Sequence, residues 1–198
     1  MKLTKIRLTR RGKMGFGLLL LLAMQQLRAE SATDTGEIQA SDFKCMLDMQ
    51  AVRGFYVDNL DPDKRSDTAA VAERETGVYP VGSVVQLVPT EVMVKHPRGF
   101  NAATRDWEFF ELTVSEAGTR IDKRGFVDVV NRFGGNCFGC HVKARPEFDM
   151  ICETGHGCDP IPITPQMTQL LQKMDPRCAG PRYQPTQEEL QLLKQLGG

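Results

Sequence analysis

Histidine is scarce in this chain, three in 198 residues, so any imidazole ligand must be His96, His141 or His156. No apolar run approaches the ~20 residues that a bilayer-spanning helix requires; the longest, Met14 to Met24, stops well short. No internal repeat is visible, which excludes a repetitive array of sites. No βαβ alternation accompanies the one Cys-x-x-Cys, which sets aside a thioredoxin-like dithiol. Net charge is also lacking: 25 Lys and Arg balance 25 Asp and Glu.

That neutrality hides an asymmetry. Lys2, Lys5, Arg7, Arg10, Arg11, Lys13 and Arg28 are basic, and the first 29 residues contain no acid. A basic segment, then Met14–Met24, then Leu27-Arg28-Ala29 ending in a small residue, has the order of a secretory signal peptide. The expected organisation is a signal peptide over 1–29, a flexible leader over 30–40 and one domain over 41–198. Cleavage would confine membrane contact to the precursor signal; an uncleaved anchor is the alternative. No Cys closely follows the apolar run, so lipid attachment is not expected. Adjacent Arg10 and Arg11 resemble a twin-arginine signal, but the general secretory route is preferred. Cleavage after Ala29 removes seven of the 25 basic residues and none of the 25 acidic ones, leaving a net charge near −7. A chain of that balance is not expected to bind nucleic acid or an anionic membrane; basic redox partners or small diffusible substrates suit it better.

The chain has six cysteines. Cys137-Phe138-Gly139-Cys140-His141 has the Cys-x-x-Cys-His form of a c-type haem attachment site. The two thiols add to the haem vinyl groups and the adjoining imidazole approaches the iron from the same side. Half a zinc site, completed by Cys152, His156 and Cys158, is the competing reading. With Cys137 and Cys140 assigned to haem, Cys45, Cys152, Cys158 and Cys178 remain. An even remainder in an exported chain suggests two disulfides in one of three pairings. Cys152–Cys158 and Cys45–Cys178 are favoured, the long closure contributing more stability in the chain-entropy model.

Ser41 heads a helix expected to run to about Val52, with Phe43, Met46, Leu47 and Val52 as its stripe. Residues 58–69 read as an exposed loop. Ser83–Val88, Glu91–Lys95, Trp107–Val114 and Phe126–Val130 read as four strands at hairpin spacing. After the haem motif come two helices. Thr164 caps the first, with Pro165 at its first position and Met167, Leu170, Leu171 and Met174 on one face. Thr186 and Glu189 form a capping box for the second, which carries Leu190, Leu193 and Leu196. The fold class expected is α+β: mainly an antiparallel sheet with a few flanking helices and one covalent haem c.

The segments MVKHPRGFNAATRDWEFFEL and VVNRFGGNCFGCHVKARPEFDMIC, within Met93 to Pro162, resemble the cytochrome P-460 family, which includes the cytochromes c′-beta. The resemblance covers roughly 70 residues and includes the haem motif. It implies a periplasmic, single-haem, antiparallel-β protein whose iron has a proximal histidine and an open or water-filled distal side. Cytochromes P-460 oxidise hydroxylamine and join a lysine to the porphyrin; cytochromes c′-beta bind NO and CO. Carried over, Cys137 and Cys140 become the thioether residues and His141 the axial ligand. Lys95 is the candidate cross-linking lysine, with an exposed strand-end charge as its bland reading. If the family's lysine belongs to the preceding strand, Gln86 stands there instead and no cross-link forms. Glu108 and Glu111 are candidate distal carboxylates, each weighed against an exposed acid on an edge strand. Phe100, Phe109 and Phe110 are candidate walls of the distal pocket, weighed against core packing.

Three functions follow. Gas binding needs an open apolar distal site; hydroxylamine or peroxide oxidation adds a distal proton acceptor. Plain electron transfer needs a sixth ligand, from His96, His156 or one of Met46, Met49, Met93 and Met150, although methionine is more often core filler. Small-ligand chemistry leads, with gas binding slightly ahead, and enzyme status stays open. A redox partner protein and a homodimer are both compatible with the sequence.

Overall fold

The computed structural model describes residues 36–195. The expected signal peptide, most of the leader and Leu196 lie outside the described residues. A six-stranded antiparallel sheet organises the chain, with strands adjacent in sequence order: β1 (Gln50–Val52), β2 (Phe55–Asn59), β3 (Ser83–Val88), β4 (Glu91–Lys95), β5 (Trp107–Ser115) and β6 (Gly118–Gly125). Among the described residues four α-helices accompany it: α1 (Arg65–Arg74), α2 (Cys137–His141), α3 (Pro165–Lys173) and α4 (Gln187–Lys194). The α+β expectation holds for the protein chain. Among the described residues no helix is long and apolar enough to cross a membrane.

Successive strand residues point to opposite faces, so the register assigns each side chain a side. Val57 pairs with Val85, Val85 with Met93 and Met93 with Phe109. These residues, with Trp107, form one face, covered by Val71 and Ala72 of α1 and by Tyr79, Val129, Met150 and Ile151. Val84, Val92, Val94 and Phe110 form the other face, covered by Ile38 and Phe43. Cys137 and Phe138 pack on the first face, which we call the motif face.

Polar groups position the flanking elements. Beneath α1, Asn59 Nδ2 donates to Thr68 Oγ1 at 3.0 Å, and the Thr68 and Ser83 hydroxyls lie 2.8 Å apart. Gln172 of α3 donates to the Gly54 and Leu87 carbonyls, both at 2.8 Å, fastening that helix to the sheet. Both expected disulfides are formed: Cys45–Cys178 closes across 133 residues and Cys152–Cys158 across six.

Five local expectations are corrected. Instead of a helix over 41–52, the chain makes two 3₁₀ turns, Ala40–Asp42 and Met46–Asp48, then enters β1. Phe43 and Met46 therefore do not share a helical stripe: Phe43 meets Phe110 at 5.1 Å, and Met46 is buried with its backbone N donating to Asp175. The leader's last residues are not loose, since Ile38 is buried under the sheet. The expected loop over 58–69 shrinks to 60–64, which carries the 3₁₀ turn Pro62–Lys64; the flanking residues complete β2 and start α1, whose outer face is polar enough to resemble a loop. Phe126–Val130 is not a strand, because the sixth strand is the preceding, mostly polar β6. The expected capping of the last two helices stands: Thr164 accepts from Met167 N, and Thr186 and Glu189 form a capping box.

Candidate haem attachment site

Asn136 builds the local frame of the Cys-x-x-Cys-His segment. Its side-chain oxygen accepts from Gly139 N at 2.7 Å, capping α2. Its Nδ2 donates to the carbonyls of Val127 at 2.8 Å, Val129 at 3.3 Å and Phe126 at 3.4 Å. One side chain therefore starts the helix and ties down the strand-like approach to it, so five residues can form a helix too short to persist alone. Phe126 and Phe138 meet edge-on at 5.8 Å across this junction.

Within α2, Cys137 and Cys140 keep free thiols while the other four cysteines are disulfide-bonded. Burial pushes the Cys137 thiol up to about 12, and the Glu91 and Glu111 carboxylates add to the effect. Cys140 lies beside the Cys152–Cys158 disulfide, the three sulfurs being within 4.8 Å of one another. Gly157 permits that approach: its φ is +107°, and a side chain there would meet the Lys143 carbonyl at 2.7 Å. The zinc alternative does not stand, because Cys152 and Cys158 are joined to each other and offer no thiolates.

His141 is oriented by the backbone. Its Nδ1 lies 2.7 Å from the Met150 carbonyl, an acceptor only, so Nδ1 carries the proton. Burial lowers the imidazole's pKa, opposed in part by that hydrogen bond. Among the described residues no hydrogen bond engages Nε2. A metal-binding histidine has this arrangement: Nδ1–H tied to a carbonyl, with the lone pair of Nε2 free. Two unpaired thiols and such an imidazole on one turn are the donor set that a thioether-linked haem requires, so the residues fit the group.

The carbonyl that holds His141 sits on an unusual turn. Asp149 and Met150 both have left-handed backbone, with φ of 46° and 69°. Such a conformation costs roughly 1–2 kcal/mol per non-glycine residue. It is stabilised by a dense set of contacts. Asp149 accepts from Lys95 Nζ at 2.9 Å on each carboxylate oxygen and from Tyr79 N at 2.9 Å. The Asp149 carbonyl accepts from Trp107 Nε1 at 2.8 Å.

Lys95 is thus a buried ion-pair partner, 5 % exposed, and not an exposed strand-end charge. Its Nζ also donates to the Arg105 carbonyl at 2.6 Å and lies 5.1 Å from the Trp107 ring centre. Burial draws its pKa below the usual lysine range, and Asp149 opposes that pull. Gln86 is buried on the opposite face, its amide donating to the Pro89 carbonyl.

The remaining candidates separate. Phe109 is on the motif face, its ring 5.2 Å from that of His141. Glu111, also on that face, pairs with Glu91 across the strands, and its Oε2 is buried without a hydrogen bond although Lys123 Nζ lies 3.2 Å away. Glu91 accepts from Arg132 N at 2.9 Å, and burial raises its pKa. Glu108 is on the opposite face. Neither acid is on an edge strand, since β5 lies between β4 and β6. Glu108 is locked between Arg124, at 2.8 and 2.9 Å, and His96 Nε2 at 2.7 Å. Burial alone would raise its pKa, but the His96 and Arg124 hydrogen bonds outweigh it and keep the carboxyl low. Phe110 packs on that opposite face, and Phe100 is 46 % exposed, stacked on His96 at 3.9 Å.

The alternative axial ligands are placed as follows. His96 is committed to Glu108. His156 is buried against Phe148 at 3.7 Å, with its Nδ1 2.8 Å from the Ile151 carbonyl. Met46 is fully buried and Met49 packs against the Phe110 cluster, whereas Met93 and Met150 belong to the motif-face core. Asn136, Asp149 and the Met150 carbonyl shape the surroundings of the motif and were not singled out in the sequence. Only Asn136 carried a signal, as a good capping residue directly before the motif.

No family model matches this chain, and no curated protein or solved structure matches it either.

Proposed function

We propose that this chain is an exported mono-haem c-type cytochrome of the cytochrome P-460/c′-beta kind, binding small diatomic gases such as NO and CO at an open distal site. The observation that carries the reading is His141: its Nδ1 is bonded to the Met150 carbonyl and its Nε2 is left without a hydrogen bond, on the same short helix as two unpaired thiols. Haem iron, when bound, supplies the ligand-binding and redox chemistry. The chain's part is to fix Cys137 and Cys140 through the Asn136 cap, and to hold the imidazole in the tautomer a metal can use. It also shields the motif face with Met93, Phe109 and Trp107. Two disulfides are compatible with a periplasmic location.

Gas binding is favoured over hydroxylamine oxidation because the residues the oxidase would use are otherwise engaged. Lys95 Nζ is held by Asp149, and Glu108 lies across the sheet. One observation supports the oxidase as second reading: Glu111 is a carboxylate on the motif face whose Oε2 is buried outside any hydrogen bond, and it could take a proton from a bound amine once its ion pair with Lys123, 3.2 Å away, yields. Electron transfer would require a protein sixth ligand, for which Met93 is the candidate on this face, since the Met150 backbone is already bonded to His141 Nδ1. Optical spectra of the purified protein, oxidised, reduced and reduced with CO, test the reading.

A further inference from the structure

Lys95 forms the first link of a chain of contacts that ends at His141. Its ammonium grips both oxygens of Asp149, the same carboxylate accepts from Tyr79 N, and the next residue's carbonyl receives His141 Nδ1. Asp149 and Met150 adopt consecutive left-handed conformations, so the direction of the Met150 carbonyl depends on what restrains this turn. The restraint is buried: Lys95 and Asp149 side chains are 6 % and 4 % exposed, and Trp107 Nε1 fixes the turn's other carbonyl. An unrestrained imidazole in water favours the Nε2–H tautomer, the form that cannot donate its Nε2 lone pair to a metal.

We infer that Lys95 is a positioning residue for the axial histidine, acting through Asp149 and the Met150 carbonyl, and is not a haem cross-link. The inference rests on His141 being the axial ligand. One nitrogen cannot keep three short contacts with Asp149 and Arg105 and also be bonded to a porphyrin carbon. Lys95 is therefore recovered unmodified when the haem peptide is released.

The test uses the purified mature chain, with haem content measured first. If haem is attached, the wild-type and Lys95→Met proteins are compared by mass of the Lys95 peptide and by the iron–histidine stretching frequency of the five-coordinate ferrous form. The expected results are an unmodified Lys95 and a stretch several wavenumbers lower in Lys95→Met, because a slackened Nδ1 hydrogen bond makes the imidazole a weaker donor. Asp149→Asn, which keeps an acceptor for Tyr79 N, lowers the stretch in the same direction and serves if Lys95→Met does not fold. The double variant lowers it no further than the stronger single change, since both interrupt one path. If no haem is attached, the axial reading fails, and the His141 tautomer is read by long-range proton–nitrogen correlation on the full chain. Nδ1–H is then expected in the wild type and Nε2–H in the variants. A cross-linked Lys95, or folded variants with an unchanged His141 signal, overturns the inference.

Discussion

Glu108 and Glu111 stand three residues apart on β5 and serve opposite faces of the sheet. Glu108 is sealed between His96 and Arg124, while Glu111 faces Glu91 on the side of the haem motif. The two acids should therefore fail in different ways. Glu108→Ala strands two basic partners and is expected to cost about 2 kcal/mol of stability without altering CO binding. Glu111→Gln is expected to change stability by less than about 0.5 kcal/mol. It should instead slow any hydroxylamine consumption the protein supports. Chemical unfolding and substrate assays on both variants separate the roles.

The two disulfides should contribute unequally. In the chain-entropy model a loop as long as Cys45–Cys178 is worth about 4–5 kcal/mol, and one as short as Cys152–Cys158 about 2 kcal/mol. Replacing each pair by serine and comparing denaturant midpoints checks the order. Equal losses would indicate that native contacts, and not loop length, decide the effect.

Asp175 gives the acid limb of stability a specific origin. Burial alone would raise its pKa, but hydrogen bonds from the Arg177 side chain, Met46 N and Arg177 N hold the carboxyl below its ordinary value. The unfolded chain therefore binds this proton more readily than the folded one. The contribution is complete above about pH 4 and disappears as pH falls through the lowered folded-state value. Asp175→Asn is expected to be less stable at pH 7, by about 1–3 kcal/mol, and to lose less on acidification. Unfolding free energies at pH 7 and pH 3 test the sign.

Asn136→Ala removes a helix cap together with a donor shared by three carbonyls. A loss of about 1–2 kcal/mol is expected. The yield of covalently attached haem should fall with it, read by peroxidase staining of denaturing gels. Asn136→Asp keeps the cap and should restore part of the stability.

The elements legible in the sequence were those whose burial is written into side-chain type. β3, β4 and β5 read as strands because their β-branched and aromatic residues fill both faces of a covered sheet. The disulfides followed from cysteine parity in a chain read as exported. β6 escaped because an edge strand with Arg120, Asp122, Lys123 and Arg124 needs no apolar alternation. α1 escaped because only Thr68, Val71 and Ala72 are buried in it. At the site, the Cys-x-x-Cys-His residues were legible as chemistry. The Met150 carbonyl was not, since the group that orients His141 belongs to the backbone, and its direction depends on a tertiary ion pair formed 54 residues apart in sequence.

The most direct test of the account is the optical spectrum of the reduced protein before and after CO. An open distal site predicts a high-spin ferrous spectrum that CO converts to a sharp, low-spin form, with Met93→Leu behaving like the wild type. A ferrous spectrum already low-spin and unchanged by CO would contradict the account. If Met93→Leu then opened the site, Met93 would be the sixth ligand and the protein an electron carrier.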